Sequence, residues 1–399
     1  MTALKKAISR PEFIILMSAI MAIHALAIDA ILPALSQISE YFSLSDDNDR
    51  QFIVTALFVG YAFGVIIYGI SSDSFGRKVP IYVGIFIFLL GTILSLFATS
   101  FEMLLFGRAM QGFGSAAPQI VATAITRDVY KGRGMAQVMS LMMMMFMLVP
   151  AIAPLIGQAV LLVSNWQGIF VLFLLYSLVI LAWFVIRLPE TLQVEERVTL
   201  SFSQIWASIK EVFRNRRATT FMVVEGLSFG AILTYLSTAQ QIFQEHFGLG
   251  ERFPMYFGGL ALVMMLAAFV NSTLVERLGM HFLVIRGASV LFVLSSLYLL
   301  VLFLNDHTVP FWSFMVYACL AYFSLGLLFG NIHSLAMEEV GHVAGAAASL
   351  IGSVSTIIAV IIAAYAGSFY NDSITPIVLC FTLLMLPIIY LTWFDAQNS

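Results

Sequence analysis

The chain has 399 residues, of which 61% are apolar and only 10% are charged, and its formal net charge is −3. No soluble core needs so much apolar sequence, so most of the chain must face lipid or other buried helices. The two cysteines, Cys319 and Cys380, both lie in apolar stretches and do not indicate a disulfide framework or a metal site.

Continuous apolar runs are the main feature of the chain. A run of about 20 apolar residues crosses a bilayer as a helix, whereas a membrane barrel needs short strands of alternating polarity. Twelve runs meet the helical requirement: 13–33, 51–71, 79–99, 102–125, 135–162, 166–187, 218–243, 254–276, 281–303, 309–333, 343–367 and 374–394. The sequence therefore predicts an all-α membrane protein with twelve transmembrane helices in two pseudo-symmetric six-helix bundles.

Charge placement predicts the orientation of these spans. With the N-terminus in the cytoplasm, sixteen Lys and Arg residues fall on one side and only Arg50 and Arg252 on the other, with Arg108 left inside a span. Positively charged loops stay in the cytoplasm, so both termini are predicted to be cytoplasmic. The first run is interpreted as a retained helix because it is too long for a signal peptide and carries Asp29.

A charged turn joins the second and third spans. It reads Gly69-Ile-Ser-Ser-Asp73-Ser-Phe-Gly76-Arg77-Lys78. Gly69 allows helices to approach closely, and Gly76 permits the positive φ of a tight turn. Asp73 is placed to accept hydrogen bonds from a helix N-terminus. The alternative is an ordinary charged turn that only ends two spans.

Ionisable residues inside the spans are candidates for transport chemistry, because they are costly in a membrane and face protein or a water-filled cavity. Asp29 in the first span and Arg108 in the antiparallel fourth span are predicted to lie at similar depth, at about 1.5 Å per residue. They are predicted to couple proton movement to transport, the alternative being a permanent ion pair that holds two helices together. His24 lies about 140° around the first helix from Asp29 and is interpreted as a packed, neutral histidine.

Polar faces on the fourth, seventh and tenth spans predict where substrate binds. On the fourth span, Ser115 and Gln119 return to within about 20° of Arg108. The residues expected to contact substrate are Gln111, Ser115 and Gln119 on the fourth span, Glu225 and Tyr235 on the seventh, and Tyr317 and Asn331 on the tenth. Polar faces also hold helices together, which is the alternative for each residue taken alone.

One long hydrophilic stretch divides the chain. It predicts an N-terminal bundle over 1–190, a cytoplasmic linker over 191–217 and a C-terminal bundle over 218–399. Within the linker, Phe202, Ile205, Trp206, Ile209 and Phe213 recur at helical spacing, which favours an amphipathic helix on the membrane surface over a plain linker.

Several motifs carry a family resemblance. The 69–78 turn resembles the loop between helices 2 and 3 of major facilitator superfamily transporters. Other motifs resemble the twelve-span drug:proton antiporters and their bicyclomycin/chloramphenicol-resistance family: Asp29-x-x-x-Pro33, Arg108-x-x-Gln111-Gly112-x-Gly114, Arg127-Asp128, Pro150-x-x-x-Pro154-x-x-Gly157, Asn165-Trp166 and Leu188-Pro-Glu190-Thr-Leu192. The chain departs from the family pattern at two places. Ser74 stands where the family usually has a basic residue after the loop Asp, and Thr238-Ala239 stands where it often has Ser-Pro.

The resemblance implies a proton-coupled antiporter of the bacterial inner membrane that exports small, partly apolar molecules by alternating access. It implies no cofactor beyond the proton gradient, and a monomer that contacts substrate, protons and lipid but no nucleic acid. The motif residues with an implied gating role are Gly69, Asp73, Gly76, Arg77, Lys78, Arg127 and Asp128. The resemblance also places Asp73 near the start of the eleventh span, around His342 to Gly345. The alternative is an exporter or symporter of one metabolite, such as a siderophore, sugar or amino-acid derivative.

Overall fold

The structure is a computed structural model that describes residues 8–197 and 202–398, and every regular element in that part of the chain is a helix. Lys5 and Lys6 of the charge count, and the side chains of Phe202, Ile205 and His342, lie outside the described part. By packing, the chain divides into unit 1, comprising Met1–Leu44 and Ala56–Ala207, and unit 2, comprising Ser45–Thr55 and Ser208–Ser399.

Unit 1 is built around five long helices and most of a sixth. In chain order its elements are α1 (Arg10–Asp29), α2 (Leu35–Tyr41), α3 (Phe52–Phe75, in unit 1 from Ala56), α4 (Lys78–Leu96), α5 (Phe101–Val129), α6 (Gly132–Leu161) and α7 (Gln167–Arg187). Ser9 and Ser100 cap α1 and α5 by accepting hydrogen bonds from backbone N–H groups of the first turn. The most extensive packing is between α4 and α5, while α1 packs on α5, α6 and α7.

Small residues explain how closely the unit 1 helices approach. A side chain added at Gly84 or Gly91 of α4 would collide with the backbone of α5. Gly157 of α6 lies in the same way against the backbone of Ala30, one residue beyond Asp29. Close backbone approach through glycine is a common way to pack membrane helices, because it increases their van der Waals contact.

Unit 2 contains the second half of the chain. Its elements are α8 (Phe202–Arg214, in unit 2 from Ser208), α9 (Arg216–Gln240), α10 (Phe253–Leu278), α11 (Met280–Leu304), α12 (Phe311–Met337), α13 (Ala344–Gly367) and α14 (Thr375–Asn398). A π-helical turn, Gln241–His246, extends α9. Within this unit α9 packs most extensively on α13, and α11 packs on both α12 and α14. The helix predicted in the linker is present as α8, where the Trp206 and Phe213 side chains are exposed.

Eleven of the described helices are long and apolar enough to cross a membrane. The fourth predicted span, 102–125, is not among them, although it coincides with the 29-residue helix α5. The reason is composition, because α5 carries Arg108, Gln111, Ser115 and Gln119 along one face. Three of these polar side chains, those of Arg108, Gln111 and Ser115, are fully buried inside the protein.

Candidate functional site

Arg108 has no exposed surface and is the most deeply buried charged side chain among the described residues of unit 1. Its Nη1 donates to Oε1 of Gln111 at 2.8 Å, and its Nη2 donates to the backbone oxygen of Ala27 at 2.9 Å. Nε2 of Gln111 donates in turn to Oγ1 of Thr92 on α4 at 2.8 Å. Through these bonds the guanidinium connects α1, α5 and α4.

Asp29 is the last residue of α1 and is 4% exposed. The contacts described for Arg108 are to Gln111 and to the backbone of Ala27, so its pairing with the Asp29 carboxylate, which equal depth suggested, stays a prediction. Arg108 reaches the α1 backbone at Ala27, two residues before Asp29, so the two side chains start from similar depths on their helices. The two predicted coupling residues thus lie in one region of unit 1, where Arg108 bonds the backbone of α1.

His24 and Ser115 form a second polar contact between α1 and α5. Nδ1 of His24 lies 2.9 Å from Oγ of Ser115, and this hydroxyl donates to the backbone oxygen of Gly112 at 3.0 Å. The imidazole also stacks on Tyr61 with 4.1 Å between ring centroids. His24 is thus packed against the rings of Phe58 and Tyr61, as its position on the helix predicted, and the Ser115 hydroxyl is bonded to both His24 and Gly112.

Gln119 and Tyr68 differ from these residues because each has a buried polar atom with no partner among the described residues: Oε1 of Gln119 and the hydroxyl of Tyr68. Tyr68 of α3 packs against Ala116 and Ala117, within one turn of Gln119 on α5. Unpartnered buried polar atoms are uncommon and require an explanation. They are the free hydrogen-bonding groups of this face of unit 1, and no pattern in the sequence singled out Tyr68.

The gating residues predicted from the 69–78 turn come together with the end of α5 and the segment after α7. We call Asp73, Arg77, Asp128, Glu190 and Thr191 the loop cluster. Arg77, which is buried, donates to Asp128 at 2.8 Å and 3.2 Å and to Asp73 at 2.5 Å. Thr191 donates from its hydroxyl to Asp128 at 2.9 Å. Burial alone would lower the pKa of Arg77, but its bonds to Asp128 and Asp73 raise it above the ordinary value.

Glu190 completes the loop cluster by capping the start of α4. It accepts hydrogen bonds from the backbone N–H of Arg77 at 2.9 Å and of Lys78 at 3.1 Å. Gly76 has the predicted positive φ, at +90°, and a side chain there would collide with Glu190 and Arg197. The motif glycine therefore allows the carboxylate to reach the helix terminus, where negative charge is favourable.

The remaining gating residues make fewer contacts. Lys78 lies over the ring of Tyr82, with 5.6 Å between Nζ and the ring centroid. Gly69 is buried in α3, and its backbone oxygen accepts a hydrogen bond from Ser72. Arg127, beside Asp128, is exposed. The motif is thus organised around Arg77, with these three residues at its edge.

The predicted substrate residues of unit 2 are engaged with different neighbours. Glu225 on α9 lies 3.2 Å from Nδ1 of His333 on α12. Tyr317 bonds Ser295 of α11 at 2.9 Å. Asn331 donates to Asn271 of α10 at 2.7 Å. Tyr235 stacks on Phe257 and meets the edge of Tyr322, with 4.9 Å between the last two ring centroids.

Sequence reasoning missed His333, because it is two residues from the seven-residue repeat that contains Asn331. Only the packing of α9 on α12 places it against Glu225. The pair is an acid and a histidine inside two helices of span length, with 14% and 47% of the side chains exposed, respectively. Such a pair can bind a proton or a polar ligand group.

Comparison with known proteins agrees with this architecture. The chain is 26% identical over 385 residues to a bicyclomycin resistance protein homolog of Haemophilus influenzae, covering 95% of this chain and 96% of that protein. It is 26% identical over 349 residues to multidrug resistance protein D of Escherichia coli, covering 87% and 86%. The relatives' names agree with the antiporter family that the motifs resemble.

Solved structures share the fold at low sequence identity. The xylose transporter XylE from E. coli, in a partially occluded inward open conformation, superposes with a TM-score of 0.75 at 10% identity, covering 96% of this chain and 98% of that chain. The human organic anion transporter MFSD10 gives a TM-score of 0.68 at 15% identity, covering 97% and 99%. The Major Facilitator Superfamily model matches residues 17–364. This transporter chain therefore belongs to the Major Facilitator Superfamily.

Proposed function

We propose that this transporter exports small, partly apolar molecules across the bacterial inner membrane in exchange for protons. The observation that carries the proposal is Asp29, a carboxyl that is 4% exposed and lies at the end of a helix within a span-length apolar segment. A carboxyl sheltered in one conformation and reached by water in another can take up a proton on one side and release it on the other. The names of the relatives support a drug-like substrate.

The proposed topology has twelve spans with both termini in the cytoplasm, as two six-helix bundles over 1–190 and 218–399 joined by the 191–217 linker. It counts α5 as a span, because 29 residues of helix reach about 43 Å at about 1.5 Å per residue, more than the about 30 Å hydrocarbon core. The excess of Lys and Arg on one side supports the orientation. We propose a monomer that needs no cofactor beyond the proton gradient.

The proposed substrate contacts begin with the free groups of unit 1, Gln119 and Tyr68, and the Glu225–His333 pair of unit 2. Gln111 and Ser115 support the site indirectly, since their polar atoms bond Arg108, Thr92 and His24. Tyr235, Tyr317 and Asn331 supply an aromatic and amide lining in the proposal. The loop cluster is proposed as the cytoplasmic gate, in which Arg77 holds Asp73 and Asp128 together.

The test compares Asp29→Asn with wild-type protein in proteoliposomes that hold a pH-sensitive dye. Bicyclomycin is the probe, because a relative is named for resistance to it. Wild-type protein is expected to move protons in the direction opposite to the drug, and to accumulate drug when a pH gradient is imposed. Asp29→Asn is expected to bind bicyclomycin and exchange labelled for unlabelled drug, with no response to the gradient.

Glu102→Gln is the matched control, since Glu102 is an exposed acid at the start of α5. It is expected to behave as wild type. An unchanged pH dependence in Asp29→Asn would assign coupling to another group, with Glu225 the next candidate. The alternative function is a carrier for one metabolite, and it predicts no exchange of bicyclomycin. If that carrier is a symporter, it would move protons in the same direction as its substrate.

A further inference from the structure

Helix α8 presents large apolar side chains on its surface. Trp206 and Phe213 are 62% and 49% exposed, and at about 100° per residue they lie within about 20° of each other around the helix. Val212 lies about 100° from Phe213 and is fully buried. The helix therefore packs on the protein along one side and carries an apolar strip on another. An exposed apolar strip of this kind marks a contact with a membrane or with another protein.

Basic residues lie along one edge of this strip. Lys210 is about 40° from Trp206, and Arg214 is about 40° further round; both are exposed. Their like charges are one turn apart and weaken an isolated helix, so a partner with negative charge would stabilise it. Glu211, the acid of this helix, lies about 140° from Trp206 and so faces away from the strip. We call Trp206, Lys210, Phe213 and Arg214 the α8 outer face.

The position of α8 in the chain indicates what covers this face. The helix ends at Arg214, and one residue, Asn215, separates it from α9, whose segment Arg216–His246 is long and apolar enough to span a membrane. The hydroxyl of Thr219 on α9 donates to the backbone oxygens of Phe213 at 3.3 Å and of Asn215 at 2.9 Å. The end of α8 is therefore fixed to the first turn of a span, next to the headgroup layer, which is about 5–7 Å thick on each side of the bilayer.

We propose that α8 lies in the headgroup layer of the membrane and binds anionic phospholipids through its outer face. Trp206 and Phe213 insert between the lipids, since tryptophan in particular favours the membrane–water interface. Lys210 and Arg214 bind the phosphate groups, and each basic residue close to an anionic surface strengthens binding by about fivefold. This inference rests on the proposed function only for the side of the membrane, the cytoplasmic leaflet; the lipid contact itself needs neither substrate nor proton gradient.

The experiment measures which lipids lie next to α8 in the full-length protein. Ala207 is an exposed residue of this helix and is the reporter position. Ala207→Cys carries a bimane fluorophore, in a background with Cys319→Ser and Cys380→Ser. The protein is placed in phosphatidylcholine nanodiscs that contain a small, equal fraction of either phosphatidylglycerol or phosphatidylcholine with a nitroxide quencher near the headgroup. Labelled phosphatidylglycerol is expected to quench the reporter about threefold more than labelled phosphatidylcholine. The ratio should fall towards one in high salt, because salt screens the charges.

Two matched double variants separate the proposed charges from charge in general. Lys210→Gln with Arg214→Gln is expected to lower the quenching ratio to about one. Lys131→Gln with Arg133→Gln removes the same two charges from exposed residues at the start of α6, and is expected to keep the parent ratio. The side chains replaced in both variants are exposed, so the substitutions are expected to leave folding intact.

Trp206→Ser with Phe213→Ser is expected to weaken quenching by both lipids, because the helix loses the side chains that insert. Equal quenching by the two lipids in the parent, or a ratio that Lys210→Gln with Arg214→Gln leaves unchanged, would overturn the proposal. Weak quenching by both lipids in the parent would also overturn it, and would indicate that a second copy or a soluble protein covers this face. A failure of proton-coupled export would appear in the Asp29→Asn experiment and leave the quenching ratio unchanged.

Discussion

Replacing Glu190 by glutamine tests whether the loop cluster depends on a carboxylate at the start of α4. The carboxylate accepts two long-range hydrogen bonds, from the N–H of Arg77 and of Lys78, and two local ones, from Thr191 and Leu192. Glutamine has nearly the same size but no charge, and its amide nitrogen cannot accept a bond. The substitution therefore removes the charge and at least one acceptor without creating a cavity.

The expected loss follows from these bonds. A hydrogen bond to a charged group contributes roughly 1.5–3 kcal/mol and a neutral one about 1 kcal/mol. Glu190 is half-buried, so solvent screens part of its charge, and the amide oxygen of glutamine keeps some of the bonds. Glu190→Gln is therefore expected to lower the free energy of unfolding by about 1–2 kcal/mol at pH 7.

The pH dependence gives a second signature. Burial alone would raise the pKa of Glu190, but the backbone N–H groups of Arg77, Lys78, Leu192 and Thr191 lower it below its ordinary value. A carboxyl with a lowered pKa in the folded state stabilises the fold above its unfolded pKa of about 4.3, and the stabilisation disappears as pH falls through the folded pKa. The difference between wild type and Glu190→Gln should therefore shrink below about pH 4.

The assay is unfolding in mixed detergent micelles at pH 7 and at the lowest pH that the protein tolerates. Glu195→Gln is the matched control, because Glu195 is an exposed acid five residues later in the same segment. It is expected to stay close to wild type at both pH values. Equal stability of the two variants at pH 7, or a difference that persists at low pH, would refute the reasoning.

Three further predictions concern single side chains. Gly76→Ala forces a side chain into a positive φ and against Glu190, so its free energy of unfolding should fall by about 1–2 kcal/mol or more. Gly134→Ala has open space around the added side chain and should keep wild-type stability; equal stability of the two variants would contradict this reasoning. Gln111→Leu removes the oxygen that accepts from Nη1 of buried Arg108, and should lower the free energy of unfolding in detergent by about 3 kcal/mol. A loss below about 1 kcal/mol would contradict this expectation. Tyr68→Phe removes a hydroxyl that has no partner among the described residues. Its free energy of unfolding should therefore stay within about 0.5 kcal/mol of wild type, while its affinity for bicyclomycin falls. A variant that is destabilised but binds bicyclomycin normally would show that the hydroxyl has a structural role.

Much of the architecture was readable from local sequence. Eleven predicted spans match helices of span length, because a bilayer-spanning helix needs a continuous apolar run that one stretch of chain contains by itself. The turn at Gly76 was equally local, and its predicted positive φ is confirmed. Superfamily membership followed from motifs of a few residues each and is confirmed by the match over 17–364.

The partners of the polar residues were decided only by tertiary packing. Helical periodicity gives the face and depth of Arg108, but it does not predict that Nη2 donates to the backbone oxygen of Ala27 on α1. The sequence placed Arg50 only as a charge in a loop, whereas the structure shows it buried, with its guanidinium on the carboxylate of Glu245. Hydrogen bonds and ion pairs act over about 3 Å, whereas sequence periodicity locates a side chain only to within about a turn of helix, or 5.4 Å. Which buried groups meet is therefore decided by the packing of helices that lie far apart in the chain.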